Sequence, residues 1–167
     1  GGAVEALFSL RTTAIEGESC ATLDCADGLV CDADVCVPVE AACAAATMVP
    51  SSATTFSGTF TGALDTWDAP CSSGGATEAV FTWRADVTGA VTVDTFDSDF
   101  DTILYVSEGV CDGDQWITCD DDDTAAPGLQ SLVTFAAAAG TTYYFYVEDY
   151  DGDDIGTIAG NITRGSR

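Results

Sequence analysis

The feature that most constrains this 167-residue chain is its set of eight cysteines, Cys20, Cys25, Cys31, Cys36, Cys43, Cys71, Cys111 and Cys119. An even number of cysteines in a short chain reads as a disulfide framework formed in an oxidising compartment. The rival use of cysteine, a zinc or iron–sulfur site, lacks its marks: there is no Cys-x-x-Cys pair and no histidine to complete a mixed site. The first four cysteines fall at short, regular spacings in a segment too small for a core of its own. Such a module survives on crosslinks, each removing unfolded-state entropy worth about 2–4 kcal/mol. Spacing alone leaves their connectivity open.

Charge narrows the function classes. The chain carries 28 acidic residues against four arginines (Arg11, Arg84, Arg164 and Arg167), with no lysine and no histidine, for a net charge of -24. A phosphate backbone is bound by clustered Lys and Arg that displace counterions, so nucleic acid is excluded as a partner. An anionic membrane surface would repel the chain as well. No stretch approaches the roughly 20 apolar residues of a membrane span, which excludes membrane insertion. Nor is this a disordered acidic tail, because 47% of the residues are hydrophobic and the aromatics are spread along the chain. Gly1-Gly2 lacks the charged and hydrophobic regions of a signal peptide, so the expected reading is an extracellular chain whose signal peptide has been removed.

Hydrophobic periodicity divides the chain into three parts. Over residues 1–16, Val4, Ala6, Phe8 and Leu10 alternate with Glu5, Leu7, Ser9 and Arg11, the pattern of an extended segment and a candidate donor strand; Val4, Leu7 and Phe8 would also share a helical face. Residues 17–42 form the Cys-rich module. From 43 to 167 the texture is short Thr-, Val-, Phe- and Tyr-rich runs separated by Gly, Pro and Asp clusters, the rhythm of an all-β sandwich. Candidate strands are 54–60, 79–85, 89–95, 102–107, 115–119, 131–136, 142–148 and 156–163. Alternation is plain in Ala90-Val91-Thr92-Val93-Asp94 and in Val80, Thr82 and Arg84 set against Phe81 and Trp83. Ala136 to Ala139 are too few for a helix and end a strand before Gly140.

Several motifs occur together and in order. Ser98-Asp99-Phe100-Asp101-Thr102-Ile103-Leu104-Tyr105-Val106 is followed by Cys119-Asp120-Asp121-Asp122, by Ser131-Leu132-Val133-Thr134-Phe135 and by the turn-and-strand at 139–144. Val147-Glu148-Asp149-Tyr150 and Gly156-Thr157 close the series. Over residues 43–163 this order resembles the bacterial pre-peptidase C-terminal (PPC) domain, with Asp120 standing where that family usually has Asn. The resemblance implies a compact antiparallel, jelly-roll-like β-sandwich, usually non-catalytic and appended to secreted proteases. It also implies the disulfides Cys43–Cys71 and Cys111–Cys119, and pairing by sequence order agrees. The segment 24–31 in turn resembles small secreted Cys-rich modules, whose interleaved arrangement implies Cys20–Cys31 and Cys25–Cys36.

Catalytic chemistry finds little to work with. A Ser or Cys triad needs a base, usually His, and a Schiff base or Ser-Lys dyad needs Lys; the chain has neither. No aspartic-protease Asp-Thr-Gly occurs, and the chain is read as a non-enzyme. Aspartate outnumbers glutamate 21 to 7 and gathers in loops. Short carboxylates on turns converge readily on a hard cation, and calcium takes about six to eight oxygens in forgiving geometry. The expected ligands are Asp97, Asp99, Asp101, Asp120, Asp121, Asp122, Asp149 and Asp151, whereas Asp112, Asp114 and Asp123 read as solvated loop residues. Trp67, Trp83, Trp116 and the 143–146 aromatics read as core before they read as a sugar-stacking platform.

The functional expectation is a secreted, calcium-stabilised structural subunit of an extracellular filament, joined to copies of itself by strand donation through Val4, Ala6, Phe8 and Leu10. The alternative is a calcium-binding accessory or adhesion module that binds an extracellular protein or polysaccharide.

Overall fold

The computed structural model describes residues 13–21, 24–26, 29–32, 35–38, 43–60, 66–72, 77–124, 128–150, 152 and 156–165. Among them lie strands β1 (Thr13–Ala14), β2 (Asp24–Cys25), β3 (Leu29–Asp32), β4 (Val35–Pro38), β5 (Thr47–Val49), β6 (Thr55–Gly58), β7 (Glu78–Arg84), β8 (Gly89–Asp94), β9 (Thr102–Glu108), β10 (Trp116–Asp120), β11 (Leu132–Ala137), β12 (Thr142–Asp149) and β13 (Ile158–Arg164). The expected strands recur with ends shifted by a few residues. β5 was not foreseen: three residues pair in parallel with β7 through Thr47–Phe81 and Val49–Trp83, a non-local match that leaves no local pattern.

Two sheets make the sandwich, one ordered β10-β9-β12-β7-β5 and the other β11-β8-β13-β6. From β7 onward the chain changes sheet at each connection except the β9–β10 hairpin, in jelly-roll fashion.

The two sheets treat their outer faces differently. In the four-stranded sheet, Val91 and Val93 of β8, Val133 and Phe135 of β11, Ile158 and Ile162 of β13 and Phe56 of β6 enter the shared core. On its outer face, the Thr92 and Thr134 hydroxyls meet across strands at 2.9 Å in an exposed contact. That alternation is what a sheet with one wet face requires. The five-stranded sheet sends Phe81, Trp83, Leu104, Val106, Tyr143, Phe145 and Val147 into the same core. Its other face is buried too: Val80, Ile103, Tyr105 and Tyr146 lie beneath Trp67, Ala69 and Cys111, with Cys43, Cys119 and Val37 packed alongside. Strands dry on both sides need near-continuous apolar runs, and Thr102–Glu108 is buried from Thr102 through Ser107.

Close packing between strands fixes one small residue. A Cβ on Gly160 would run into the Asp94 carbonyl oxygen and lie 2.7 Å from the Phe56 ring.

In the N-terminal module β3 and β4 form a hairpin, and β1 runs parallel to β2. Gly17 N–H donates to the Cys36 carbonyl and Cys36 N–H to that of Glu18. The N-terminal residues 13 and 14 thus pair within their own chain; Val4, Ala6, Phe8 and Leu10 lie outside the described residues.

The disulfides correct one expectation. Cys25 is bonded to Cys36, with Cα atoms 5.6 Å apart. Cys20 is disulfide-bonded, and its expected partner Cys31 has a side chain outside the described set. The remaining four cysteines pair as Cys43–Cys111 and Cys71–Cys119, not as Cys43–Cys71 and Cys111–Cys119. The reason is register. Cys119 sits opposite Tyr105 in the β9–β10 ladder, whereas Cys111 lies beyond the end of β9, past Ser107, so the two stand at different levels along the strands. Each instead meets a segment arriving over the outer face of the five-stranded sheet. Both bonds fasten that cover.

Peptide mapping of the unreduced protein should therefore yield crosslinked fragments joining 43 to 111 and 71 to 119. Replacing Cys71 and Cys119 together by Ala should cost about 2–4 kcal/mol in denaturant unfolding. Gly160→Ala should cost about 1–3 kcal/mol by overpacking in the same assay.

Candidate functional site

Seven of the eight expected calcium ligands lie at one end of the sandwich, on or beside three connections: 95–101 between β8 and β9, residues 121–124 and 128–131 between β10 and β11, and the start of the β12–β13 connection. A hydroxyl cluster holds them together. Ser131 N–H donates to Thr95 Oγ1 at 3.0 Å and to Thr102 Oγ1 at 3.1 Å, and the two threonine hydroxyls are 2.6 Å apart. Ser131 Oγ bonds to the carbonyls of Thr102 and Asp121, the latter at 2.7 Å. All three hydroxyl residues are fully buried, so this network sets the loops rigidly against one another. Gln130 Nε2 donates to the Phe100 carbonyl at 3.2 Å, and Tyr150 N–H donates to that of Asp101 at 3.1 Å.

On this base three of the eight expected aspartates come together. Asp101, Asp121 and Asp122 each place a carboxylate oxygen within 4.8 Å of the others. Asp121 Oδ1 is buried and accepts no hydrogen bond. Burial, followed by the charges of Asp122 and Asp120, pushes the Asp121 carboxyl above its ordinary range. Asp101 and Asp121 are half-buried and Asp122 is exposed. Hard oxygens drawn from two loops, one of them desolvated, suit a hard cation such as calcium, with water and backbone carbonyls left to complete the shell.

Of the other expected ligands, three hold neighbouring backbone or side-chain donors. Asp99 Oδ1 accepts from Thr157 N–H at 2.7 Å, and Asp120 Oδ2 accepts from Leu132 N–H at 2.8 Å. Asp97 Oδ2 takes a hydrogen bond from Asn161 Nδ2 at 3.1 Å, which that amide shares with Asp94. Asp149 is buried at the end of β12, and Asp151 lies outside the described residues. Asp112 caps a short 3-10 turn, Gly113–Gln115, accepting from Asp114 N–H and from the Gln115 amide. Trp67 and Trp83 are buried as core, while Trp116 is half exposed on edge strand β10.

Sequence reasoning missed a second group of acids. Glu78 of β7 and Glu148 of β12 are both fully buried, and they face one another in the antiparallel register. Their signal was present but faint: an acid in the otherwise apolar or aromatic series Tyr144, Tyr146, Glu148, and another opening the series Glu78, Val80, Thr82. Among 28 acids neither stood out. Elsewhere, an open groove of about 500 Å³ lies over β13 and the start of β6, lined by Thr54, Thr55, Asp94, Asn161 and Arg164. Arg164 is held there by Asp86 at 2.8 Å and by the carbonyls of Ser51 and Ala53.

No protein-family model matches the chain, and no curated protein matches it. Among solved structures the chain is similar to the pre-peptidase C-terminal domain of a collagenase from Bacillus anthracis, at 17% sequence identity and a TM-score of 0.46, over 71% of this chain and 94% of that one. It is also similar to PliG of Aeromonas hydrophila, a periplasmic inhibitor of g-type lysozyme, at 17% identity and a TM-score of 0.41, over 70% of this chain and 96% of that one.

Proposed function

We propose that this chain is a secreted, non-catalytic accessory module that uses calcium at Asp101, Asp121 and Asp122 to set its acidic loop end for binding a cationic surface on an extracellular protein. The observation that carries the reading is the meeting of those three carboxylates on loops pinned by the buried Thr95–Thr102–Ser131 hydroxyls. The disulfides support an oxidising compartment for the module. No helix among the described residues is long and apolar enough to cross a membrane.

Partner chemistry follows from charge. A surface at net charge -24 accelerates encounter with a cationic partner and repels anionic ones. Leu129 and Tyr150 stand exposed on the loops that flank the three aspartates, offering apolar contact beside the charge. Calcium at the cluster would neutralise part of the local repulsion and hold the loops in one arrangement.

Two measurements test the reading. Calcium should raise the thermal midpoint, approaching about 2.7 kcal/mol of added stability at roughly a hundredfold excess over its Kd. Asp121→Asn should abolish that shift while Asp112→Asn keeps it; a shift that survives Asp121→Asn places calcium elsewhere. In a chelator, Asp122→Asn should stabilise the chain by about 0.2–1 kcal/mol, since it relieves repulsion at an exposed position. For the partner, light scattering in calcium should return a monomer mass. Biolayer interferometry should find salt-sensitive binding to cationic extracellular proteins and none to anionic ones. A large assembly in light scattering would instead support the filament reading.

A further inference from the structure

Among the described residues the sandwich has four edge strands, β10 and β5 in one sheet and β11 and β6 in the other. β6 and β11 turn Thr55, Ser57, Thr134 and Ala136 to water, and β5 is three residues long. β10 carries a different surface. Eight large hydrophobic side chains are exposed among the described residues, and three of them, Val110, Trp116 and Ile117, gather on the β9–β10 hairpin. Trp116 is 48% exposed and Ile117 41%, whereas Trp67 and Trp83 are buried in the two cores.

Register explains why two successive side chains of one strand both face water. Trp116 lies opposite Ser107 and Thr118 opposite Val106, so Ile117 is the extra residue of a bulge. In a regular strand successive side chains turn to opposite faces, and both faces of this sheet are buried. The bulge lifts the start of β10 out of that pattern. Ser107 Oγ donates to the Val110 carbonyl at 2.8 Å, which keeps the turn beside Trp116.

Beyond the bulge the ladder is regular, with Thr118, Cys119 and Asp120 opposite Val106, Tyr105 and Leu104. Cys119 is bonded to Cys71, and Asp120 Oδ2 accepts from Leu132 N–H at 2.8 Å. The strand is therefore held at its far end and loses little freedom when something binds along it. Because Trp116 and Ile117 stand exposed, a segment from outside can reach this edge.

Charge decides what that segment is. The 3-10 turn that leads into β10 carries Asp112 and Asp114, and Asp120, Asp121 and Asp122 follow at the other end. A second copy of the chain would set these acids against their own equivalents, with a net charge of -24 on each side. A basic segment meets opposite charge at both ends of the strand. In extended form its backbone pairs with the edge and its apolar side chains cover Val110, Trp116 and Ile117. A Lys or Arg over the exposed indole adds a cation–π contact.

We propose that β10 is the docking edge for an extended segment of the extracellular partner, one that combines basic and apolar residues and adds to the five-stranded sheet as a further strand. The inference rests on the reading of the partner as cationic and names the element that receives it. β10 runs straight into Asp121 and Asp122, so the edge and the converging aspartates belong to one continuous stretch of chain.

The test uses the full, oxidised chain in calcium at low salt. Its probe is a capped peptide of alternating lysine and valine; the control is the same peptide N-methylated at every residue, which keeps charge and side chains but has no amide donors. Acrylamide-quenchable tryptophan emission comes from Trp116, because Trp67 and Trp83 are buried. The Lys-Val peptide should shield that emission and slow hydrogen exchange across 116–120. N-methylation should weaken its Kd by about tenfold or more, since the edge hydrogen bonds are lost. Trp116→Ala should weaken it by a similar factor, and hydrogen exchange on the parent chain reads the edge without any variant. Equal binding of the two peptides, or binding that leaves exchange at 116–120 unchanged, overturns the docking edge and leaves the cationic reading standing. Binding of cationic proteins with neither peptide bound also overturns it. If nothing cationic binds, the reading beneath it falls as well.

Discussion

Three central strands of one sheet, β7, β9 and β12, are dry on both faces, and most of the molecule answers that constraint. Their inner side chains share a core with the four-stranded sheet, which needs only ordinary alternation. Their outer side chains, Val80, Ile103, Tyr105 and Tyr146, would present a large apolar and aromatic patch to water if left bare. The chain covers them with segments that have little regular structure: 66–71, the short 3-10 turns Cys43–Ala45 and Gly113–Gln115, and Val37 from the Cys-rich module. Loops of this kind bring few ladder hydrogen bonds, and two disulfides and the Glu78 carboxyl group supply the fastening. The N-terminal module is thus part of the solution, because Val37 packs on the cover.

Division of labour between the two acid-rich regions follows from burial. At the loop end, Asp122 is exposed while Asp101 and Asp121 are half-buried, and the neighbouring charges of Asp122 and Asp120 add to burial in raising Asp121. Under the cover, Glu78 and Glu148 are removed from water, and burial raises the Glu78 carboxyl from an ordinary 4.5 to about 9.

How much of this was legible in the sequence depends on how local each feature is. Ala90-Val91-Thr92-Val93-Asp94 announces a half-buried strand because alternation with one wet face is written residue by residue. Thr47–Val49 is silent, since three residues gain their strand character only from β7, some thirty residues away. Disulfide pairing failed for a related reason: sequence order cannot say that Cys111 and Cys119 stand at different heights along β9. Of the eight aspartates expected as ligands, three converge, Asp101, Asp121 and Asp122, and Asp151 lies outside the described residues. Loop density does not separate the converging Asp101, Asp121 and Asp122 from Asp99 and Asp120, which satisfy backbone N–H groups at neighbouring turns. Glu78 and Glu148 were hidden by number, because burial, not identity, makes an acid unusual.

The central claim is that the five-stranded sheet depends on its fastened cover. Hydrogen-exchange mass spectrometry on the oxidised chain and on the chain reduced at native pH tests it directly. The account predicts that β7, β9 and β12 exchange most slowly in the oxidised protein. On reduction, 66–71, β9 and β10 should lose protection before β8, β11 and β13 do. If reduction leaves the protection of β9 and β10 unchanged, or if the four-stranded sheet opens first, the cover is not what holds the outer face dry.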